Sequence, residues 1–76
     1  MAASDRNESP EERFTRMAEI RTNAILDKLR LLGNLSNKRV YGYSEQDVKK
    51  IFSIINKQIK EERAKFNPKK PERFKL

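Results

Sequence analysis

The spacing of apolar residues along the chain predicts two long helices. Apolar residues recur three and four positions apart, first over about residues 10–32 and again over about 45–66. A polar connector, residues 33–43, separates the two stretches. Helices of similar length joined by a short connector form helical hairpins. We therefore predict an all-α fold: an antiparallel helical hairpin that can dimerise into a four-helix bundle.

Local signals place the helix ends. Ser9 stands three residues before Glu12, and Ser44 stands three residues before Asp47. At this spacing a hydroxyl and a carboxylate cap a helix N-terminus reciprocally. Gly33 follows the last apolar pair of the first helix, where a left-handed glycine commonly ends a helix. We predict that the first helix stops there.

The chain divides by composition into three segments. Residues 1–8 are acidic and lack apolar periodicity, so we expect a disordered N-terminal segment. Residues 9–66 form the predicted hairpin. Residues 67–76 hold two prolines and four bases against one acid, and we expect a basic flexible tail.

The first helix has more apolar surface than a two-helix hairpin can cover. Besides its main apolar stripe it carries a second one beside it, and a further exposed isoleucine lies on the second helix. These candidate interface residues are Met17, Ile20, Ala24, Leu31 and Ile54. With 76 residues, no cysteine and no histidine, the chain lacks the disulfides and metals that stabilise small domains. We expect a homodimer to cover this surface, with docking on a larger protein as the alternative.

Basic residues dominate after the first twelve positions. Residues 1–12 carry one base and four acids, whereas residues 13–76 carry seventeen bases and seven acids. Four lysines of the second helix, Lys49, Lys50, Lys57 and Lys60, fall within about 100° of one another and span about 17 Å of its axis. This spacing suits contacts with nucleic-acid phosphates. The alternative is an ordinary solvated face, with Lys49 and Lys57 paired to the glutamates four residues away.

The connector and the tail add basic and aromatic groups. Lys38 and Arg39 can contact phosphates, while Tyr41 and Tyr43 can stack on exposed bases. The alternative for both tyrosines is a structural role at the end of the core. In the tail, Lys69 and Lys70 can supply further electrostatic attraction.

Other classes of function find little support in the sequence. Neither glycine lies in a phosphate-binding loop pattern, and histidine and cysteine are absent, so we predict neither an enzyme nor a cofactor or metal site. No apolar run approaches the length of a membrane span, and no signal peptide is recognisable. A cytoplasmic protein that does not enter membranes is therefore expected.

Three segments carry a resemblance to other proteins: Arg21-Thr22-Asn23, Leu32-Gly33-Asn34-Leu35-Ser36-Asn37 and Tyr41-Gly42-Tyr43-Ser44. Over about residues 14–66 the chain resembles small uncharacterised helical proteins of bacterial phages and mobile elements. The resemblance implies a mobile-element setting but no activity, and it assigns no role to any residue.

Together these features predict a small basic protein that binds nucleic acid through phosphate contacts from the second helix, the connector and the tail. The alternative is a protein-interaction module, an assembly subunit or an inhibitor, that uses the exposed apolar stripe of the first helix. Salt dependence distinguishes the two, because phosphate binding weakens steeply with ionic strength.

Overall fold

The computed structural model describes residues 7–67. It contains helix α1, Pro10–Gly33, a short 3-10 turn, Asn34–Ser36, and helix α2, Glu45–Ala64. No strand occurs within residues 7–67, so the all-α prediction of two long helices is confirmed. Along this part of the chain, neither helix is long and apolar enough to span a membrane.

Both helices begin with the predicted reciprocal caps. The backbone N–H of Ser9 donates to Glu12 Oε1 at 3.0 Å, and the backbone N–H of Glu12 donates to Ser9 Oγ at 3.1 Å. The same pair of bonds joins Ser44 and Asp47, at 2.9 and 3.1 Å. Because the first N–H groups of a helix lack carbonyl partners, these bonds fix where each helix starts.

Loss of the second cap should weaken α2. The Ser44→Ala variant removes the hydroxyl that accepts from the Asp47 N–H, and losing such a cap costs about 1 kcal/mol. We expect a lower helix content by far-ultraviolet circular dichroism. Ser53→Ala, which removes a hydroxyl from the interior of the same helix, is the matched control and should keep or slightly raise the helix content. Equal helix content in the two variants would contradict a stabilising cap.

The predicted left-handed glycine at the end of α1 is wrong. Gly33 has φ −62° and ψ −25°, which is right-handed helical geometry. The chain tightens instead into the 3-10 turn, and the Asn34 N–H donates to the carbonyls of Arg30 and Leu31. A 3-10 turn satisfies terminal carbonyls without a left-handed residue, so this helix end does not need the conformational freedom of glycine.

A bidentate ion pair stands at the start of α1. The Arg16 Nε lies 2.7 Å from Glu8 Oε2, and the Arg16 Nη2 donates to Glu8 Oε1 at 2.9 Å. Only 14% of the Glu8 side chain is exposed. The hydrogen bond from Arg16 lowers the pKa of Glu8 from its usual 4.5. The pair ties the residue before the Ser9 cap to the second turn of the helix.

Acidification should therefore reduce helix content. The pKa of Asp47 is also lowered from its usual 3.8, because its carboxylate accepts the backbone N–H of Ser44. A carboxylate with a lowered pKa in the folded state stabilises that state above its ordinary pKa, and this contribution is lost as the pH falls through the lowered value. We expect circular dichroism to show a loss of helix only below the ordinary values of 4.5 and 3.8. The Asp47→Asn variant should lose less on acidification, and an equal loss would contradict the assignment to Asp47.

Neither helix contains a buried residue. The large apolar side chains of both helices are accessible to water, including Ile20 at 56% exposure, Leu31 at 58% and Ile54 at 61%. Helices of this length gain most of their stability in water from packing of an apolar face. The apolar faces of α1 and α2 are thus available for association.

The described residues belong to two compact units. The first unit ends at Tyr41 and contains α1 with its 3-10 turn, and the second begins at Gly42 and contains α2. The predicted flexible segments, residues 1–8 and 67–76, lie outside the described residues apart from positions 7, 8 and 67.

Candidate nucleic-acid interface

The four predicted lysines lie on one side of α2. The helix runs without interruption from Glu45 to Ala64, so successive residues are rotated by about 100° and rise about 1.5 Å. This geometry places the four lysines within about 100° of one another and along about 17 Å of the axis. All four are exposed. We call Lys49, Lys50, Lys57 and Lys60 the lysine face.

No acid neutralises the lysine face within residues 7–67. None of its four ammonium groups forms an ion pair or a hydrogen bond there. The pairs that would explain these lysines as an ordinary solvated surface, Glu45 with Lys49 and Lys57 with Glu61, are therefore not formed. Four positive charges remain available to an external anion.

Ion pairs occur elsewhere on the helices. On α1, Arg30 Nη1 lies 2.8 Å from Asp27 Oδ1. Near the end of α2, Lys65 Nζ lies 2.8 Å from Glu62 Oε1. Both pairs join residues three apart on one helix, so the geometry of these helices permits such pairs. Unlike Arg30 and Lys65, the four residues of the lysine face form no ion pair within residues 7–67.

The acids of α2 with the strongest local partners lie away from the lysine face. Glu62 accepts from Gln58 Nε2 at 2.6 Å in addition to its pair with Lys65. The hydrogen bond from Lys65 lowers the pKa of Glu62, and the same bond raises the pKa of Lys65. Asp47 serves the N-terminal cap. These carboxylates have partners of their own and do not compete with an anion for the four lysines.

Apart from Ile54, the large apolar residues of α2 lie on the opposite side of the helix from the lysine face. At about 100° per residue, their directions centre roughly 160° from the middle of the lysine face. They are Val48, Ile51, Phe52, Ile55 and Ile59. A polyanion bound at the lysine face therefore leaves the apolar side accessible to a protein.

Ser53 lies near the middle of the lysine face, and it is a residue that the sequence analysis did not select as a site. Its side chain is exposed, and within residues 7–67 its hydroxyl has no hydrogen-bond partner. Thr15 of α1 behaves differently, because its hydroxyl donates to the Glu11 carbonyl at 3.1 Å. The one sequence signal that could have indicated this position is that Ser53 stands four residues after Lys49 and four residues before Lys57.

The connector places Lys38 and Arg39 in a tight turn of the first unit. The Asn37 carbonyl accepts the backbone N–H groups of Val40, at 3.1 Å, and Tyr41, at 3.0 Å. The Asn37 side-chain oxygen accepts the Arg39 N–H at 3.0 Å. Asn37 therefore has a structural role in this turn. The side chains of Lys38 and Arg39 are exposed.

Neither tyrosine of the connector is buried. Tyr41 is 45% exposed and belongs to the first unit, whereas Tyr43 is partly exposed and belongs to the second. Base stacking by these rings stays a prediction. The tail lysines Lys69 and Lys70 lie outside the described residues.

The predicted protein interface of α1 forms a narrow stripe. Its members lie within about 60° around the helix: Met17, Ile20, Ala24 and Leu31. Met17 is partly exposed and its sulfur lies 3.6 Å from Arg16 Nη1, while the other three are exposed. Ile54 belongs to α2, where it lies beside the Lys50 edge of the lysine face.

No family model, no curated protein and no solved structure matches this chain.

Proposed function

We propose that this protein binds nucleic acid through phosphate contacts from the lysine face of α2. The observation that carries the proposal is the unpaired state of Lys49, Lys50, Lys57 and Lys60 within residues 7–67. Ammonium groups along one helix face are point charges that suit phosphate oxygens. The formal net charge of +7 adds long-range attraction for a polyanion.

The lysine face should make the affinity for nucleic acid depend on salt concentration. Each phosphate neutralised on duplex DNA releases condensed counterions and adds about 0.9 to the slope of log affinity against log salt. Four contacts therefore contribute a slope of about 3.6. Raising the salt fourfold, from about 50 to about 200 mM, should weaken binding about 150-fold through these contacts alone.

The other basic groups extend this proposal beyond α2. Lys38 and Arg39 present exposed charges on the connector turn, and Tyr41 offers an exposed ring for stacking. We propose the same base-stacking role for Tyr43, which belongs to the second unit. Lys69 and Lys70 would add electrostatic attraction from the tail.

Binding of purified, nuclease-treated protein to labelled duplex and single-stranded DNA and RNA, at about 50 and about 200 mM salt, tests this function. We expect binding at low salt that weakens at high salt by the factor given above. Absence of binding at low salt would overturn the proposal.

A second candidate function is association with protein through the apolar stripe of α1. The observation that favours it is the exposure of Ile20 and Leu31, at 56% and 58%, in a helix with no buried residue. Ala24 and Met17 continue the same stripe. We propose that a second copy of the chain covers it and forms a homodimer, with a larger protein partner as the alternative. The stripe lies on α1 and the lysine face on α2, so separate substitutions test the two functions.

A further inference from the structure

We propose that Ser53 is the central phosphate contact of the lysine face, donating its hydroxyl proton to a backbone phosphate oxygen that the neighbouring lysines neutralise. This inference rests on the proposed nucleic-acid binding and assigns a contact residue within the same surface. Three observations support it: the position of Ser53, the state of its hydroxyl and the distribution of charge around it.

The position of Ser53 places it among the four lysines. Lys49 precedes it by four residues and Lys57 follows it by four, so both are its neighbours on the helix surface. Lys50, three residues before it, is also adjacent. Around the helix, Lys49 and Lys60 lie on one side of Ser53 and Lys50 and Lys57 on the other. A phosphate above Ser53 is therefore within reach of lysines from two directions.

The hydroxyl of Ser53 is available as a donor. A serine or threonine inside a helix often donates to the carbonyl four residues earlier, as Thr15 does to Glu11. Ser53 makes no such bond within residues 7–67, and its side chain is exposed. Its small size also lets an anion approach the helix more closely than a long side chain at this position would allow.

The charges around the lysine face direct a phosphate toward its middle. Glu45 lies beyond the Lys49 edge and Glu61 beyond the Lys50 edge, each displaced by roughly 20 to 40°. Neither carboxylate has a hydrogen bond or an ion pair within the described part of the chain. Both therefore keep their negative charge exposed and repel a phosphate from the two edges. The attraction is greatest between the lysine rows, where Ser53 lies.

The test measures the affinity and the salt slope of the full chain for a labelled duplex DNA and for the same sequence as a single strand. Ser53→Ala should weaken binding about tenfold, as expected for a hydrogen bond to a charged group. The salt slope should stay unchanged, because a hydroxyl releases no counterion. Ser53→Asp should weaken binding further, since it places a carboxylate where the phosphate binds. Thr22→Ala, which removes an exposed hydroxyl from α1, is the control and should bind as the parent protein does.

The outcomes separate this inference from the function on which it rests. Salt-sensitive binding by the parent protein, with Ser53→Ala indistinguishable from it, would overturn the Ser53 contact and leave the lysine face standing. A reduced salt slope in Ser53→Ala would also overturn it, because the loss would then come from displaced lysines. Absence of salt-sensitive binding by the parent protein would remove the proposed function itself. Circular dichroism of each variant checks folding, and alanine is compatible with a helix interior.

Discussion

Replacing all four residues of the lysine face by glutamine should nearly abolish nucleic-acid binding at moderate salt. The variant carries Lys49→Gln, Lys50→Gln, Lys57→Gln and Lys60→Gln. We expect the slope of log affinity against log salt on duplex DNA to fall by about 3.6, since four phosphate contacts no longer release counterions. Fluorescence anisotropy titrations at several salt concentrations measure both quantities. Glutamine retains a good helix propensity, so α2 should remain helical.

The matched control removes the same number of positive charges from α1. Arg13→Gln, Arg21→Gln, Lys28→Gln and Arg30→Gln remove four positive charges from α1 and likewise lower the formal charge from +7. If general attraction explains binding, the two variants will lose affinity equally. If the lysine face makes the contacts, the α2 variant will lose much more of both affinity and slope. Equal losses would contradict a localised interface.

Introducing charge into the apolar stripe of α1 should prevent self-association. In the variant Ile20→Glu, Leu31→Glu, two exposed apolar side chains become carboxylates. Burial of one such side chain contributes about 1.5–3 kcal/mol, so losing two should weaken dimerisation at least about 100-fold. Sedimentation equilibrium should show the parent protein at twice its 9.0 kDa chain mass and the variant at the chain mass.

A control variant tests whether the position of the two new carboxylates on α1 matters. Thr15→Glu and Asn23→Glu add the same two charges to α1 outside the stripe and should leave the dimer intact. Helix content should also fall with dilution for the parent protein, because α1 has no buried residue in the single chain. A parent protein of single-chain mass at every concentration would overturn the homodimer and leave a larger protein as the partner for the stripe.

The two candidate functions differ in how their binding strength depends on salt concentration. Phosphate contacts weaken with ionic strength, whereas an apolar interface changes little or strengthens. Because the lysine face belongs to α2 and the stripe to α1, the two sets of substitutions can be combined and their effects compared for additivity. If dimerisation does not alter the lysine face, the effects of the two sets of substitutions should be additive.

Local sequence was sufficient to predict the start of each helix. Ser9 with Glu12, and Ser44 with Asp47, form the reciprocal caps that their spacing predicts. Capping depends on atoms within one turn, so no distant contact is needed to identify it. The apolar periodicity located the helix bodies for the same reason, because neighbours on a helix face are three and four residues apart.

The sequence alone did not predict how the helices end, because several backbone conformations can satisfy the same terminal groups. Gly33 fits a left-handed helix end, yet a right-handed 3-10 turn satisfies the same carbonyls at no greater steric cost, and the structure contains that turn. The last turn of α2 likewise ends at Ala64, before the predicted residue 66. Helix ends depend on small energy differences among such alternatives, and composition does not resolve them.

What the sequence by itself determined is the all-α class, the two caps and the side of α2 on which the lysines lie. Only the three-dimensional structure decided which charges are paired: Asp27 and Glu62 take basic neighbours three residues away, whereas the lysine face and the Ser53 hydroxyl have no partner within residues 7–67. The physical reason is that helical spacing places at most one acid three or four residues from each residue of the lysine face, and none at that distance from Lys60. Side-chain conformation and competing hydrogen bonds then decide whether each possible pair forms, because an exposed ion pair contributes little to stability.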